Sequence, residues 1–239
     1  MRIALLTDIH ANLPALIAVL AAIQPRGCER IYHAGDLIGI GPYPAEVVDL
    51  AISNGVRCVL GNHDELVVKG LPLDPVPGMG DDELMHQHWT HSRLDKPRRD
   101  FIRGFPYMLQ EQIEGVQLTV VHFALTQQQN AFKPVDFRGS EEEILGLFSD
   151  TPGELMCFGH LHGQRLNREY GSRHFLNPGS LGTGAQAEAS YAWIELREGR
   201  FEIEMLRVPY QRGELLARYD QLEIPAREVI RKIFFGVTG

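Results

Sequence analysis

RIALLTDIHANLPALIAVLAAI, residues 2–23, contains an apolar run, a polar break and then a periodic apolar stretch. Residues 2–6 have the length and composition of a buried strand. Leu13, Leu16, Ile17, Leu20 and Ile23 recur at three- and four-residue spacing, the period of a helix with one apolar stripe. Asn12 stands where an N-cap belongs, and Pro14 is tolerated in a first helical turn. The same alternation continues through RIYHA (30–34), PAEVVDLAISNG (44–55) and VRCVL (56–60). Strand alternating with helix predicts an α/β fold with largely parallel strands.

Farther along, GLPLDPVPGMG (70–80) reads as a Pro/Gly-rich excursion, followed by a helix over about 82–95 and another opening at Pro97. VQLTVV (116–121) and ELMCF (154–158) read as strands flanking the helical EEEILGLFS (141–149). SYAWIEL and FEIEML form a hairpin pattern. GELLARYDQL and PAREVIRKIFF are amphipathic helices expected to do no more than pack on the surface. The expected organisation is one domain over 1–239, with a core over about 1–195, a helical excursion at about 70–105 and the hairpin and helices at about 196–239.

The chain has 239 residues and a formal net charge of −8, which disfavours binding to nucleic acid or an anionic membrane by bulk electrostatics. Cys28, Cys58 and Cys157 are odd in number and form no CxxC pair, so they read as reduced thiols. No stretch is long and apolar enough for a membrane span, and the N-terminal apolar run is too short for a signal peptide. A soluble cytoplasmic protein is the expectation.

Polar residues collect where the strands end. Asp8 and His10 follow the first, Asp36 the second, and Asn62 and His63 the third. His122 follows VQLTVV, and His160 and His162 follow ELMCF. In open α/β sheets, that edge is where ligands bind. Two Asp, one Asn and four of the His form an oxygen and nitrogen donor set without thiolate, suited to Mn, Fe, Co, Ni or Zn. Asp-x-His and His-x-His put both side chains on one face of an extended segment. Seven donors exceed the four that one structural zinc uses, so two ions sharing a carboxylate fit better. Two divalent cations would outweigh the two carboxylates and leave a cationic pocket for an anionic phosphate ester.

These blocks, Asp8-x-His10, Gly35-Asp36, Gly61-Asn62-His63-Asp64, His122 and Gly159-His160-x-His162, resemble the calcineurin-like metallophosphoesterase superfamily in order and spacing over about residues 1–195. NPGS (177–180) is similar to the turn after the last His block in its small bacterial members. The resemblance implies a two-sheet α/β sandwich with helices on both outer faces. It implies that Asp8, His10, Asp36 and His162 hold one metal, that Asp36, Asn62, His122 and His160 hold the other, and that Asp36 bridges them. His63 would protonate the leaving oxygen, with Asp64 orienting or tuning it. Phe123 stands where the family often has Gly, and is expected to narrow the approach to His122.

The implied activity is hydrolysis of phosphodiester or nucleotide-type esters by a hydroxide bridging two divalent ions, manganese first, with iron, zinc, nickel or cobalt as the others. Phosphomonoester or phosphoprotein hydrolysis on the same core, and a non-catalytic scaffold, are the alternatives. A small phosphate ester is the expected partner. His33 reads as a hydrogen-bonding core residue and His174 as structural. His86, His88 and His91 do not share a helix face and read as a solvated face or lid. RRDFIR (98–103) reads as a solvated helix face.

Overall fold

The computed structural model describes residues 1–72, 74, 80–163 and 165–237. Residues 73 and 75–79 of the Pro/Gly-rich excursion lie outside the described residues. In chain order the elements are β1 Arg2–Leu6, α1 Leu13–Ile23, β2 Arg30–His33, α2 Pro44–Ser53, β3 Arg57–Cys58 and α3 Asn62–Lys69. Next come α4 Asp81–Ser92, α5 Lys96–Arg103, β4 Met108–Ile113, β5 Val116–Val121, α6 Glu141–Gly146 and β6 Leu155–Cys157. The chain continues with β7 Leu166–Tyr170, β8 Arg173–Asn177, β9 Glu188–Arg197, β10 Arg200–Pro209, α7 Arg212–Gln221 and α8 Arg227–Phe235.

Two five-stranded sheets result, ordered β10-β9-β1-β2-β3 and β4-β5-β6-β8-β7. The parallel pairs are β1 with β2, β2 with β3, β5 with β6 and β6 with β8, central in the second sheet and reaching the β3 edge of the first. Antiparallel pairs involve β9, β10, β4 and β7. The sheets are therefore mixed rather than largely parallel. Hairpins need only short connections and supply the antiparallel strands, whereas each parallel pair needs a crossover.

Strand alternation explains the layers. In β1, Ile3 and Leu5 face a cluster shared with Leu118, Val120, Leu155, Leu176 and Ile194, which fills the space between the sheets. Ala4 and Leu6 face the other way, onto Leu16 and Val19 of α1, Val47 and Val48 of α2, and Leu215 and Tyr219 of α7. On the far side of the second sheet, Val121, Met156 and Phe175 pack against Ile144 and Leu145 of α6. This is the two-sheet sandwich with helices on both outer faces.

Asn12 caps α1 as anticipated, its side chain accepting from the Ala15 N–H at 3.1 Å. One member of the predicted stripe, Ile17, is exposed; Ala15 and Val19 complete the buried face with Leu16 and Ile23. RRDFIR does form a charged helix surface, with Arg98 paired to Asp49 at 2.6 Å and Arg103 to Asp100 at 3.2 Å. Among the described residues no helix is long and apolar enough to cross a membrane, and Cys28, Cys58 and Cys157 are free thiols.

Candidate active site

The seven donors meet at the C-terminal edge of the parallel strands. Backbone bonds from Asp8 N–H to the Gly35 carbonyl (3.0 Å) and from His10 N–H to the Asp36 carbonyl (2.9 Å) tie the β1 and β2 ends together. The second sheet joins through His160 N–H, which donates to Asp8 Oδ2 at 3.1 Å. Asp8, His10 and Asp36 are buried, as is His122.

Two groups of four converge, with Asp36 in both. Donor atoms of Asp8, His10, Asp36 and His162 all lie within 4.8 Å of one another. His10 Nε2 is 3.7 Å from Asp8 Oδ1 and 3.8 Å from Asp36 Oδ2, and His162 Nε2 is 3.3 Å from Asp8 Oδ1. On the other side, His122 Nε2 is 3.4 Å from Asp36 Oδ2 and 3.0 Å from Asn62 Oδ1. His160 Nδ1 lies 3.0 Å from the same Asn62 oxygen. Donors about 2.0–2.2 Å from a common ion stand roughly 2.8–3.6 Å apart when adjacent and up to about 4.4 Å apart when opposite, so this spacing fits divalent cations.

The outer hydrogen bonds free the right atoms. His122 Nδ1–H donates to the Ala34 carbonyl at 2.8 Å, which leaves Nε2 as the nitrogen facing the site. His10 Nδ1 faces the Ile38 carbonyl at 3.3 Å and His162 Nδ1 the Thr183 hydroxyl at 3.4 Å. Asp36 Oδ1 accepts from the His63 backbone N–H at 2.8 Å, so Oδ2 is the oxygen left for the site. Thr7 Oγ1 donates to Asp8 Oδ2 at 2.6 Å.

Four of the donors sit on left-handed backbone: Asp8 (φ 50°), His10 (48°), Asp36 (60°) and His160 (68°). Each such residue costs about 1–3 kcal/mol and persists only where its surroundings over-determine it. Gly61 shows the tightness directly, since a Cβ there would lie 2.1 Å from the Asp36 nitrogen and 2.2 Å from its Oδ1. That is why the third block begins with glycine.

Burial opposes charge at Asp8 and Asp36, yet the surrounding imidazoles override it and hold both carboxyls well below their usual range. Burial and neighbouring histidines keep His10 low and bring His160 down to about 4. At His122 burial also pulls downward, but the Asp36 carboxylate prevails and raises it to about 9. Burial opposes charge at His162 too, but the Asp8 carboxylate prevails and raises it, so in the metal-free fold two imidazoles hold protons that compensate the buried carboxylates and that a cation would displace.

His63 and Asn62 line an open cavity of about 470 Å³ together with Asp36, His160 and His162, and Phe137 and Phe234 are its aromatic members. His63 does not use Asp64 as its partner. The Asp64 carboxylate is buried and accepts backbone N–H groups of Asp36 (2.8 Å), Leu37 (3.1 Å), Ile38 (3.2 Å) and Gly61 (3.1 Å), clamping the loop that carries Asp36. Burial and the Asp36 carboxylate push its pKa up to about 7 against those donors. The His63 ring is held instead by Gln87 of α4, Nε2 to Nδ1 at 2.9 Å.

Other expectations change as well. Phe123 is fully buried between Phe148 (5.3 Å) and the His160 ring (5.0 Å), so it backs a donor and does not narrow the approach to His122. His33 is buried, but neither ring nitrogen makes a hydrogen bond, and burial lowers its pKa to about 3. His174 bonds Asn167 Oδ1 at 2.5 Å. His86 is not solvated: it is buried and stacks on Trp89 at 5.9 Å. Nor does α8 merely cover the surface, because Phe234 reaches within 6.0 Å of the His162 ring. Gln87, Phe137 and Phe234 carry no sequence signal of these roles.

A profile of the calcineurin-like phosphoesterase superfamily domain matches residues 1–199. An uncharacterized protein of Methanocaldococcus jannaschii is 28% identical over 222 residues, 87% of each chain. The crystal structure of a hypothetical protein from Pyrococcus horikoshii OT3 superposes with a TM-score of 0.79 at 21% identity, covering 100% of this chain and 99% of that one. A metallophosphoesterase from Sphaerobacter thermophilus gives 0.71 at 25% identity, covering 94% and 95%. With the profile spanning the donor blocks, the chain belongs to the calcineurin-like phosphoesterase superfamily.

Proposed function

We propose that this chain hydrolyses phosphodiesters with two divalent metal ions, manganese foremost. One ion is held by Asp8, His10, Asp36 and His162, and the other by Asp36, Asn62, His122 and His160. The observation that carries this reading is Asp36 Oδ2, which lies 3.8 Å from His10 Nε2 and 3.4 Å from His122 Nε2, between the two donor groups. When bound, such ions supply Lewis acidity to the phosphoryl oxygens and lower the pKa of a water molecule.

The chain's own residues do the rest. Gln87 engages His63 Nδ1 at 2.9 Å, which leaves Nε2 as the nitrogen free to act, and from the protonated ring its hydrogen passes to the departing oxygen. Asp64 fixes the Asp36 loop through backbone donors. No Lys or Arg is among the described residues lining the cavity. A diester, with one negative charge, suits that lining better than a monoester, whose second charge would find no side-chain cation. The likeness to the Sphaerobacter thermophilus metallophosphoesterase supports an enzyme rather than a scaffold.

The test is turnover of bis(4-nitrophenyl) phosphate against 4-nitrophenyl phosphate with added Mn²⁺, beside metal analysis. Faster diester hydrolysis and two ions per chain are the expected results. One ion per chain at saturating Mn²⁺ would remove the binuclear reading, and faster monoester hydrolysis would remove the diester preference.

A further inference from the structure

A second cavity of about 210 Å³ adjoins the first, and His63 and Phe234 line both. Its remaining lining comes mainly from α4 and α8, with Val229 and Ile233 among the apolar members and His86 as the buried imidazole. Resting on the phosphodiesterase reading, we propose that this cavity is the leaving-group subsite and takes an uncharged alcohol carrying a single aromatic ring.

Position argues for the leaving group. The proton from His63 must go to the oxygen that departs from phosphorus, so whatever is attached to that oxygen lies on the His63 side. In the reaction, water oxygen bonds to phosphorus and the P–O bond to the alcohol breaks. The bonding pair stays on the departing oxygen, which takes the Nε2 proton of the protonated His63 ring, and the proton released by the attacking water passes to solvent, from which His63 is reprotonated. A phosphate monoester and a free alcohol leave.

Size and polarity define the alcohol. A dry cavity of about 150 Å³ accommodates benzene, so 210 Å³ admits one ring with a few further atoms and excludes a nucleoside. His86 is 4% exposed, so its ring is part of the cavity's wall rather than a solvated group. The Thr90 hydroxyl, 3.5 Å from Nε2, and a hydrogen bond to the Pro225 backbone serve the ring, so the cavity asks for no further charge there. The exposed carboxylates of Asp82 and Glu83 also line the cavity and disfavour a leaving group with further negative charge.

The experiment uses methylphosphonate monoesters, whose P–C bond cannot break, so that the ester oxygen is the only leaving atom. Methyl and benzyl esters release alcohols of similar acidity and differ in what they can bury. With Mn²⁺, the benzyl ester should be preferred by roughly 10- to 100-fold in kcat/KM, and a 4-carboxybenzyl ester should lose most of that preference. Val229→Trp, which fills the cavity, should bring the benzyl-to-methyl ratio toward one, chiefly through KM. Ile233→Glu tests the same wall at an exposed position, where folding is not at stake. Equal use of methyl and benzyl esters by the wild-type chain would overturn the subsite and leave the phosphodiesterase reading intact. Turnover of neither ester would count against that reading. Saturation-transfer NMR with benzyl alcohol and no added metal then decides the subsite on its own. Binding that Val229→Trp abolishes supports it, and no binding to the wild-type chain overturns it.

Discussion

Gln87 Nε2 and His63 Nδ1 share a hydrogen bond across 2.9 Å, joining a helix of the excursion to the strand-end block that opens α3. The bond fixes the plane of the ring and leaves Nε2 as the nitrogen free to act, which is what a proton donor needs.

Gln87→Leu should therefore lower kcat for alkyl phosphodiesters by about tenfold or more, within the 10²–10⁴ that a positioned acid supplies. KM and bound metal should change little, and the acid limb of the pH–kcat profile should move. Gln87→Glu, which can still meet the ring nitrogen, should recover part of the rate with a different pH limb. A loss confined to thermal stability would make Gln87 a packing residue.

Asp64 accepts from four backbone N–H groups, so Asp64→Asn exchanges an acceptor oxygen for an NH₂ group that faces donors. About 1–3 kcal/mol of stability should be lost, together with affinity for the ion nearest Asp36. Denaturation midpoints and metal titration measure both. An unchanged midpoint with only a shifted pH profile would return Asp64 to a role through His63.

Gly61→Ala forces a methyl group against the Asp36 nitrogen and carboxylate, 2.1–2.2 Å from the ideal Cβ. Overpacking of this kind costs about 1–3 kcal/mol, and here the group displaced is the shared carboxylate. Metal stoichiometry should fall below that of the wild-type chain. Gly213→Ala is the control, because nothing lies within 4 Å of its Cβ in the first turn of α7. It should retain full metal.

The donor set was legible because each of the five apolar runs is followed within two residues by a donor, and His10 and His162 lie two residues further on. Strand-end placement depends only on local sequence, and the parallel strands carry those ends to the same place. The β9–β10 hairpin was legible as such, whereas β4, β7 and β8 escaped the α/β alternation because hairpins leave no helix between strands. Gln87 and Phe234 were not legible at all. Their contacts with His63 and His162 span helices whose approach is set by packing, and no local pattern encodes it. Phe123 was misplaced for a related reason: its neighbour in the chain is His122, but the backbone decides which side of the sheet its ring enters.

His122 supplies a pH prediction. Its pKa is raised to about 9 in the metal-free fold, because the Asp36 carboxylate outweighs burial. A raised histidine stabilises the fold fully below its unfolded value of about 6.5, and that contribution is lost as pH rises through about 9. Metal must displace this proton, so affinity should climb between about pH 6 and 9 and binding near pH 7 should release protons. Titration calorimetry in buffers of different ionisation enthalpy reads the release directly. No buffer dependence at neutral pH would mean that His122 is already neutral.

His63→Ala separates proton donation from phosphate binding. His63 contributes no donor atom to either group of four, so both ions should remain bound in the variant. An alkyl phosphodiester must receive a proton as it departs, and its turnover should fall roughly 10²–10⁴-fold. A nitrophenyl ester releases a stable anion and should lose much less. The ratio of the two losses is the measure, because a residue that only bound phosphate would slow both substrates equally. Metal loading cancels from that ratio, and so does any general disturbance of α3. A flat ratio would withdraw the proton from His63 and leave Gln87 orienting a ring whose task is to bind.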